Sequence, residues 1–214
     1  MNSIKKFLKP HYHKLVRMAK WWRRIGLDCK DFTIISNNCT GGYVYQYFGV
    51  SYKTPTEGIF FITSDYIKII ERPEYYFKHE VKLIDPKEST LAKAGLNITY
   101  PVGLIDDVEV YFKHYPDPRE AVEKWRRRAS RMNFNKLFFL LTETELMKEG
   151  DAERFSNIIA EKETKGVCLT LKKYNLPYTK YVPDVPKDEE NSNAAWRPEI
   201  IIKNVEWKKI INSL

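Results

Sequence analysis

Short apolar runs alternate along most of the chain with longer stretches whose apolar positions recur every three or four residues. Runs of four to eight residues rich in β-branched and aromatic side chains are typical of strands, and the longer spacing is typical of helices packed on a sheet. The runs predict strands at residues 32–36, 59–62, 81–84, 98–102, 108–115, 136–142 and 167–171. The stretches between them predict helices at 42–48, 64–77, 118–132, 143–149 and 152–162. This alternation predicts an α/β fold with a mostly parallel open sheet and crossover helices, in a Rossmann-like three-layer arrangement.

The same pattern divides the chain into three parts. Residues 1–27 predict a basic amphipathic helix, residues 28–182 the α/β domain, and residues 183–214 a mobile loop followed by a C-terminal strand or helix packed on that domain. The loop is predicted from its three prolines and its polar run, and it acts either as a lid or as a linker.

The predicted N-terminal helix carries the excess charge of the whole chain. Residues 1–30 contain nine Lys or Arg and one acidic residue, whereas the rest of the chain is balanced. An apolar stripe at helical spacing accompanies these cations: Leu15, Met18, Ala19, Trp22 and Ile25. Such a helix either lies on an anionic membrane surface or docks on its own domain or on a second subunit. Nucleic acid is not an expected partner, because the neutral body offers no basic groove.

Cysteine usage and hydropathy indicate the compartment. Three scattered cysteines, Cys29, Cys39 and Cys168, make neither a disulfide framework nor a zinc site, and no run approaches the length of a membrane span. We therefore expect a cytoplasmic protein, peripheral on the inner face of the membrane if the basic helix binds lipid. The oligomeric state is left open.

A polar turn between the first predicted strand and helix is the candidate site. It runs from Ser36 to Gly42, at the position where ligands bind at the carboxyl edge of an open α/β sheet. Its amides and hydroxyl suit sugar hydroxyls or a phosphate, and its glycines let the backbone approach a ligand. The predicted substrate-binding residues of the turn are Asn37, Asn38, Thr40, Gly41 and Gly42.

Cys39 in this turn and His114 at the end of a later strand predict a nucleophilic pair. A helix N-terminus stabilises a thiolate, and a histidine within hydrogen-bond reach takes its proton. His114 continues the apolar row of Val108, Val110 and Phe112, so its ring is expected to be partly buried beside Cys39. The alternative is that both side chains serve packing only.

The helix predicted after Asp117 offers cations to the same crevice. Arg128 and Arg131 adjoin its apolar stripe and are predicted to clamp a phosphate of the substrate. No GxxxxGK[ST] or GxGxxG pattern occurs, so neither ATP nor NAD is indicated and no cofactor is expected. Asp106-Asp107 has the form of a metal-binding acidic pair but also of an ordinary turn, and no metal site is assigned.

Several of these residues carry a family resemblance that covers about residues 30–175. They are Asp31 to Ile35 leading into Ser36 to Gly42, then Tyr45, Thr54-Pro55-Thr56, Tyr100-Pro101-Val102-Gly103, His114-Tyr115 and Trp125, Arg128, Arg131-Met132-Asn133. In this combination the chain resembles an uncharacterised bacterial family usually labelled exopolysaccharide biosynthesis protein. It departs from the family pattern at Thr54, where a serine usually precedes the proline.

The resemblance implies an α/β domain and a role in making capsule or another surface polysaccharide, without a settled reaction. We therefore expect a transferase with a sugar or sugar-nucleotide substrate. Glycosyl transfer is favoured, and acyl transfer through Cys39 comes next. The alternative from another class is a non-enzymatic sugar-binding or assembly protein of a polysaccharide pathway.

Overall fold

The computed structural model describes residues 15–188 and 194–214 and contains two sheets. The main sheet is parallel, with strand order β1-β5-β6-β7. Its strands are β1 (Thr33–Ser36), β5 (Leu137–Thr142), β6 (Lys165–Thr170) and β7 (Thr179–Tyr181). A small antiparallel sheet is formed by β2 (Lys82–Ile84), β3 (Val102–Ile105) and β4 (Val108–Tyr111).

Helices fill the connections between these strands. The described part of α1 covers residues 15–24. The others are α2 (Thr40–Phe48), α3 (Thr63–Glu71), α4 (Pro73–Lys78), α5 (Thr90–Lys93), α6 (Pro118–Ala129), α7 (Asp151–Glu161), α8 (Pro198–Asn204) and α9 (Trp207–Asn212). A 3₁₀ turn lies at Pro86–Glu88.

The main sheet is buried on both faces at β5, which is apolar at all positions but its last. In β5, Phe139 and Leu141 pack with α3, α6 and α7, whereas Phe138 and Leu140 pack with α2, α8 and α9. Successive side chains of a strand point to opposite faces, so one continuous apolar run serves two helical layers. The predicted three-layer α/β fold with a mostly parallel sheet is confirmed.

Three predicted strands form the separate small sheet rather than extending the parallel one. Apolar content predicts strands at residues 81–84, 98–102 and 108–115, but it does not distinguish parallel from antiparallel pairing. The observed β3 starts four residues later than predicted, and β4 ends at Tyr111. Residues 59–62 form only an isolated bridge, between Phe60 and Tyr111. The short strand β7 was missed, since Thr179–Tyr181 is partly exposed and has no apolar run.

Two predicted helices also differ from the structure. The stretch 64–77 is divided into α3 and α4 at Arg72, because Pro73 cannot donate a helical hydrogen bond and starts a new helix instead. The stretch 143–149 forms turns and irregular structure after Thr142, the last residue of β5.

The segment after α1 and the C-terminal helix α9 contact each other on one layer of the domain. Trp207 of α9 meets Phe138 edge to face, with ring centroids 5.3 Å apart, and the side chains of Lys208 and Asn212 donate to the carbonyls of Ile25 and Gly26 after α1. Of the predicted basic helix, residues 1–14 lie outside the described part of the chain, as do residues 189–193 of the predicted mobile loop. Beside that gap, Lys187 and Ala194 form an antiparallel bridge.

Among the described residues, no helix has the length and apolar character that crossing a bilayer requires.

Candidate functional site

A cleft of about 380 Å³ lies at the carboxyl edge of β1 and β5. Its walls come from six places: the turn after β1 with the start of α2, the segment 59–61 before α3, the stretch from α5 to β3, the residues that follow β4, the turn after β5, and the segment preceding α8. It brings together Asn37, Asn38, Cys39, Thr40 and His114, five of the residues predicted from the sequence. Ligands of open α/β folds bind at this edge, so the cleft is the candidate site.

Asn37 joins the carboxyl ends of the neighbouring strands β1 and β5. Its side chain is 1% exposed. Its amide nitrogen donates to the Thr142 carbonyl at 3.0 Å, and its amide oxygen accepts from the Thr142 N–H at 3.0 Å and from the Thr142 hydroxyl at 3.2 Å. Both polar atoms of the amide are thus used within the protein, where they fix the cleft's floor.

Asn38 and Thr40 are placed differently. Asn38 is half-buried, donates to the Thr142 hydroxyl at 2.8 Å and accepts from the Thr40 N–H at 3.0 Å. Thr40 is 3% exposed and lines the cleft, and its hydroxyl is buried without a hydrogen-bond partner. A buried hydroxyl without a partner costs free energy. Thr40 is therefore the residue of the turn that a ligand's polar group would satisfy.

The two glycines serve close packing rather than anion binding. The Gly41 N–H donates to the Ser36 hydroxyl at 3.2 Å, and the Gly42 N–H donates to the Cys39 carbonyl at 3.0 Å. A Cβ on Gly41 would lie 2.6 Å from the Ser36 hydroxyl, and a Cβ on Gly42 would lie 1.5 Å from a Glu57 carboxylate oxygen. These N–H groups are engaged, so a phosphate would have to displace existing hydrogen bonds.

Cys39 occupies the N-cap position of α2, where the helix dipole favours a thiolate. Its surroundings act in the opposite direction. Burial raises the pKa of the Cys39 thiol and the nearby Glu57 carboxylate raises it further, against smaller lowering effects from Tyr43 and Lys113. The thiol is thus held in its protonated form, which disfavours the predicted role as a nucleophile.

Glu57 is a candidate residue that the sequence reasoning did not single out. It follows Thr54-Pro55-Thr56, which carried part of the family resemblance, and its carboxylate sits against Gly42. One carboxylate oxygen is buried without a partner, and burial raises the pKa of Glu57 against the lowering effect of Arg128. The side chain reaches α2 from a loop fifteen residues along the chain, so no local periodicity marks it.

His114 lies at the rim of the cleft, and its predicted burial is wrong. β4 ends at Tyr111, the chain turns at Lys113 and His114, and the His114 side chain is exposed. The backbone N–H of His114 donates to the Gly58 carbonyl at 3.1 Å. The apolar row of β4 therefore does not continue through this residue. His114 and Cys39 nevertheless line one cleft, as predicted.

The predicted arginine clamp is not part of the cleft lining. The Arg128 guanidinium donates to the Glu57 carbonyl at 2.9 Å and to the Tyr115 hydroxyl at 2.6 Å, behind the turn. Arg131 follows the end of α6 and is exposed. Arg128 thus holds the loop that carries Glu57, and the cation that lines the cleft is Lys113.

Both aromatic and polar side chains line the cleft. Phe60 and Tyr100 meet edge to face with ring centroids 6.0 Å apart, and Trp196 donates from its indole nitrogen to the Glu143 carbonyl at 2.7 Å. These three aromatic residues line the same cleft as Asn38 and Thr40. Rings that pack against an apolar sugar face, together with amide and hydroxyl groups, suit a carbohydrate.

The acidic pair considered as a metal site lies in the β3–β4 turn, away from the cleft. Asp106 and Asp107 accept hydrogen bonds from the hydroxyls of Tyr75 and Tyr76, at 2.8 and 2.9 Å, and Asp107 also pairs with Lys68 at 2.8 Å. Because protein side chains already contact both carboxylates, we interpret Asp106-Asp107 as a structural turn and not as a metal site. Within residues 15–188 and 194–214, no cluster of His, Cys, Asp and Glu has metal-ligand geometry.

Replacing Glu57 with Gln is expected to speed alkylation of Cys39. The substitution removes a negative charge that disfavours the thiolate, so the pKa of Cys39 falls, although burial keeps it above its ordinary value. At a pH below that pKa, the thiolate fraction and the iodoacetamide rate should rise about three- to tenfold. Mass spectrometry of the Cys39 peptide measures the rate. Glu120→Gln on α6 is the matched control, and an equal rate in both variants would rule out the coupling.

The same variant should also be more stable at neutral pH. The pKa of Glu57 is higher in the folded than in the unfolded chain, so its ionisation opposes folding. This penalty is absent below the ordinary carboxyl pKa and grows as pH rises through the folded pKa. The free energy of unfolding of Glu57→Gln should therefore exceed that of the wild type at neutral pH and equal it in acid.

Comparisons with known proteins give a family but no activity. The sequence model of a domain of unknown function, DUF1919, matches residues 11–207. An uncharacterized protein of Haemophilus influenzae is 27% identical over 132 residues, which cover 62% of this chain and 59% of that protein. The chain thus aligns with about three fifths of that relative's length. The family match also extends beyond residues 30–175 and includes the described part of α1 and all of α8.

Proposed function

The chain belongs to the DUF1919 family, whose function is unknown, and we propose that it is a transferase acting on a sugar substrate in the synthesis of a bacterial surface polysaccharide. The observation that carries the proposal is the cleft, which combines aromatic side chains with a half-buried amide and a buried hydroxyl that lacks a partner. The resemblance of its turn residues to the exopolysaccharide proteins supports the choice of pathway. The Haemophilus relative, being uncharacterized, adds nothing to either argument.

Glycosyl transfer is favoured over acyl transfer. In glycosyl transfer from a sugar nucleotide, the acceptor oxygen bonds to the anomeric carbon as the bond to the leaving phosphate breaks. Lys113 on the cleft wall would stabilise the phosphate charge, and His114 on the rim would take the acceptor's proton. Acyl transfer instead needs a thiolate at Cys39, which burial and Glu57 oppose.

Cys39→Ser is expected to fold and to retain both ligand binding and transfer activity. Glycosyl transfer does not need sulfur at this position, whereas covalent acyl transfer does. A thermal-shift screen of sugar nucleotides against the wild type identifies the donor, and product formation is then compared between the two proteins. Loss of turnover with intact binding would instead favour acyl transfer through Cys39.

Binding without turnover would support the remaining alternative, a sugar-binding or assembly protein. Thr40→Val tests whether the ligand binds in the cleft. A ligand held there should raise the unfolding temperature of the wild type more than that of the variant.

We also propose that the protein works in the cytoplasm, peripherally on the inner face of the membrane. The charge distribution and the exposed tryptophans of the N-terminal segment support this location.

A further inference from the structure

The orientation of α1 is the reverse of that expected for a helix docked on a protein core. Trp21 and Trp22 are 55% and 63% exposed, with ring centroids 5.3 Å apart. Leu15, Met18 and Ile25 are exposed as well. At about 100° per residue, these five side chains fall within an arc of about 120° on one side of the helix. The apolar stripe, defined as these five residues, thus points away from the body.

The basic side of α1 is the side that meets the domain. The Arg24 guanidinium donates to the Gly49 carbonyl at 3.0 Å, just beyond the C-terminus of α2. Arg23 donates to the Tyr47 carbonyl at 3.4 Å, and its guanidinium lies 4.4 Å from the centre of the Tyr47 ring. Cations stabilise a helix C-terminus, whose last carbonyls lack partners within the helix. These contacts explain why the polar face is turned inward.

From this geometry we propose that the apolar stripe of α1 inserts into the headgroup region of an anionic phospholipid bilayer. Tryptophan is the residue type best suited to that region, because its ring is apolar and its N–H remains near water. Residues 1–27 contain no Asp or Glu, whereas they carry eight Lys or Arg. Among the described residues, Arg17 is exposed beside the stripe, and its positive charge complements anionic lipid.

A second copy of the chain fits this surface less well. Pairing two apolar stripes would bring two sets of cations together, and like charges facing each other destabilise an interface. An anionic bilayer instead attracts Arg17, which is exposed beside the stripe. The charge of the segment thus favours lipid over self-association.

Lipid binding through α1 places the cleft near the bilayer. α1 contacts the C-terminal end of α2, and the cleft is built on the N-terminal end of the same nine-residue helix. Such a helix is about 13 Å long. Because the stripe points away from the body, the thickness of α1 adds about 10 Å to this distance, so the sugar portion of a substrate carried on a membrane lipid would have to extend up to about 25 Å from the bilayer to enter the cleft. This consequence rests on the proposed function, whereas the lipid binding itself does not.

Vesicle co-sedimentation of the full chain tests the proposal. The wild type should pellet with phosphatidylcholine vesicles that contain phosphatidylglycerol, and less with phosphatidylcholine alone or at high salt, because salt screens the attraction. Trp21→Gln/Trp22→Gln should lower the partition coefficient about tenfold or more, since the buried apolar area is lost. Leu83→Gln, an exposed apolar residue on β2, is the matched control and should bind as the wild type does.

Equal pelleting of the wild type and the double tryptophan variant would overturn the proposal, as would absence of binding by the wild type. Sedimentation velocity tests whether a second copy of the chain, rather than lipid, covers the stripe. Self-association that the tryptophan variant abolishes, without vesicle binding, would assign the stripe to a second copy. Matching thermal midpoints would show that the variant is folded, as expected for exposed side chains. None of these readouts depends on transfer activity, so a failed transferase assay leaves the lipid proposal standing.

Discussion

Asn37→Ala is expected to lower the free energy of unfolding by about 3 kcal/mol. The variant would leave the N–H and the carbonyl of Thr142 without their side-chain partners at the buried ends of β1 and β5. Urea denaturation followed by fluorescence measures the loss.

The neighbouring amide provides the control for this prediction. Asn38→Ala should cost about 1 kcal/mol, because the Asn38 side chain is half-buried and its partners can turn to water. Equal and small losses in the two variants would mean that the Asn37 amide does not hold the two strands together. Equal and large losses would mean that Asn38 also has a mainly structural role.

Thr40→Val is expected to weaken ligand binding about tenfold without lowering stability. The two side chains are nearly isosteric, and the Thr40 hydroxyl is buried with no partner in the protein. Its removal should therefore leave the free energy of unfolding unchanged or raise it by about 1 kcal/mol. Loss of one hydrogen bond to the ligand accounts for the tenfold change in Kd. Isothermal titration with the ligand found by screening measures the affinity.

Thr142→Val is the matched control, because its hydroxyl donates to Asn37 and accepts from Asn38. This variant should be destabilised by about 1 to 2 kcal/mol. Unchanged affinity in Thr40→Val would contradict the assignment of the Thr40 hydroxyl to the ligand.

The sequence was sufficient to predict that the candidate site lies at the carboxyl edge of the sheet, in the turn that follows β1. An apolar run leading into polar residues and then an amphipathic helix is a local pattern, and a parallel sheet brings such turns to one edge. The positions of Asn38, Cys39 and Thr40 at the cleft follow from it. Their separate roles depend on partners such as Thr142, which lies about a hundred residues along the chain.

Other parts of the site depend on long-range contacts that periodicity does not reveal. Glu57 reaches α2 from an irregular segment, and Trp196 reaches the cleft from another. His114 is exposed because the chain turns after Tyr111, although the alternation of apolar residues continues in the sequence.

The N-terminal helix shows the same limit. Its periodicity identifies an apolar face, but which face meets the body is decided by the carbonyls of Tyr47 and Gly49, which accept from its arginines.

A crystal structure of the protein with the sugar nucleotide that gives the strongest thermal shift would test the central claim most directly. The account predicts a sugar ring in the cleft against Tyr100 or Trp196, with a hydroxyl within hydrogen-bond distance of the Thr40 hydroxyl and the phosphates near Lys113. A ligand bound at another surface with this cleft unoccupied, or the absence of binding by every sugar nucleotide tested, would contradict it.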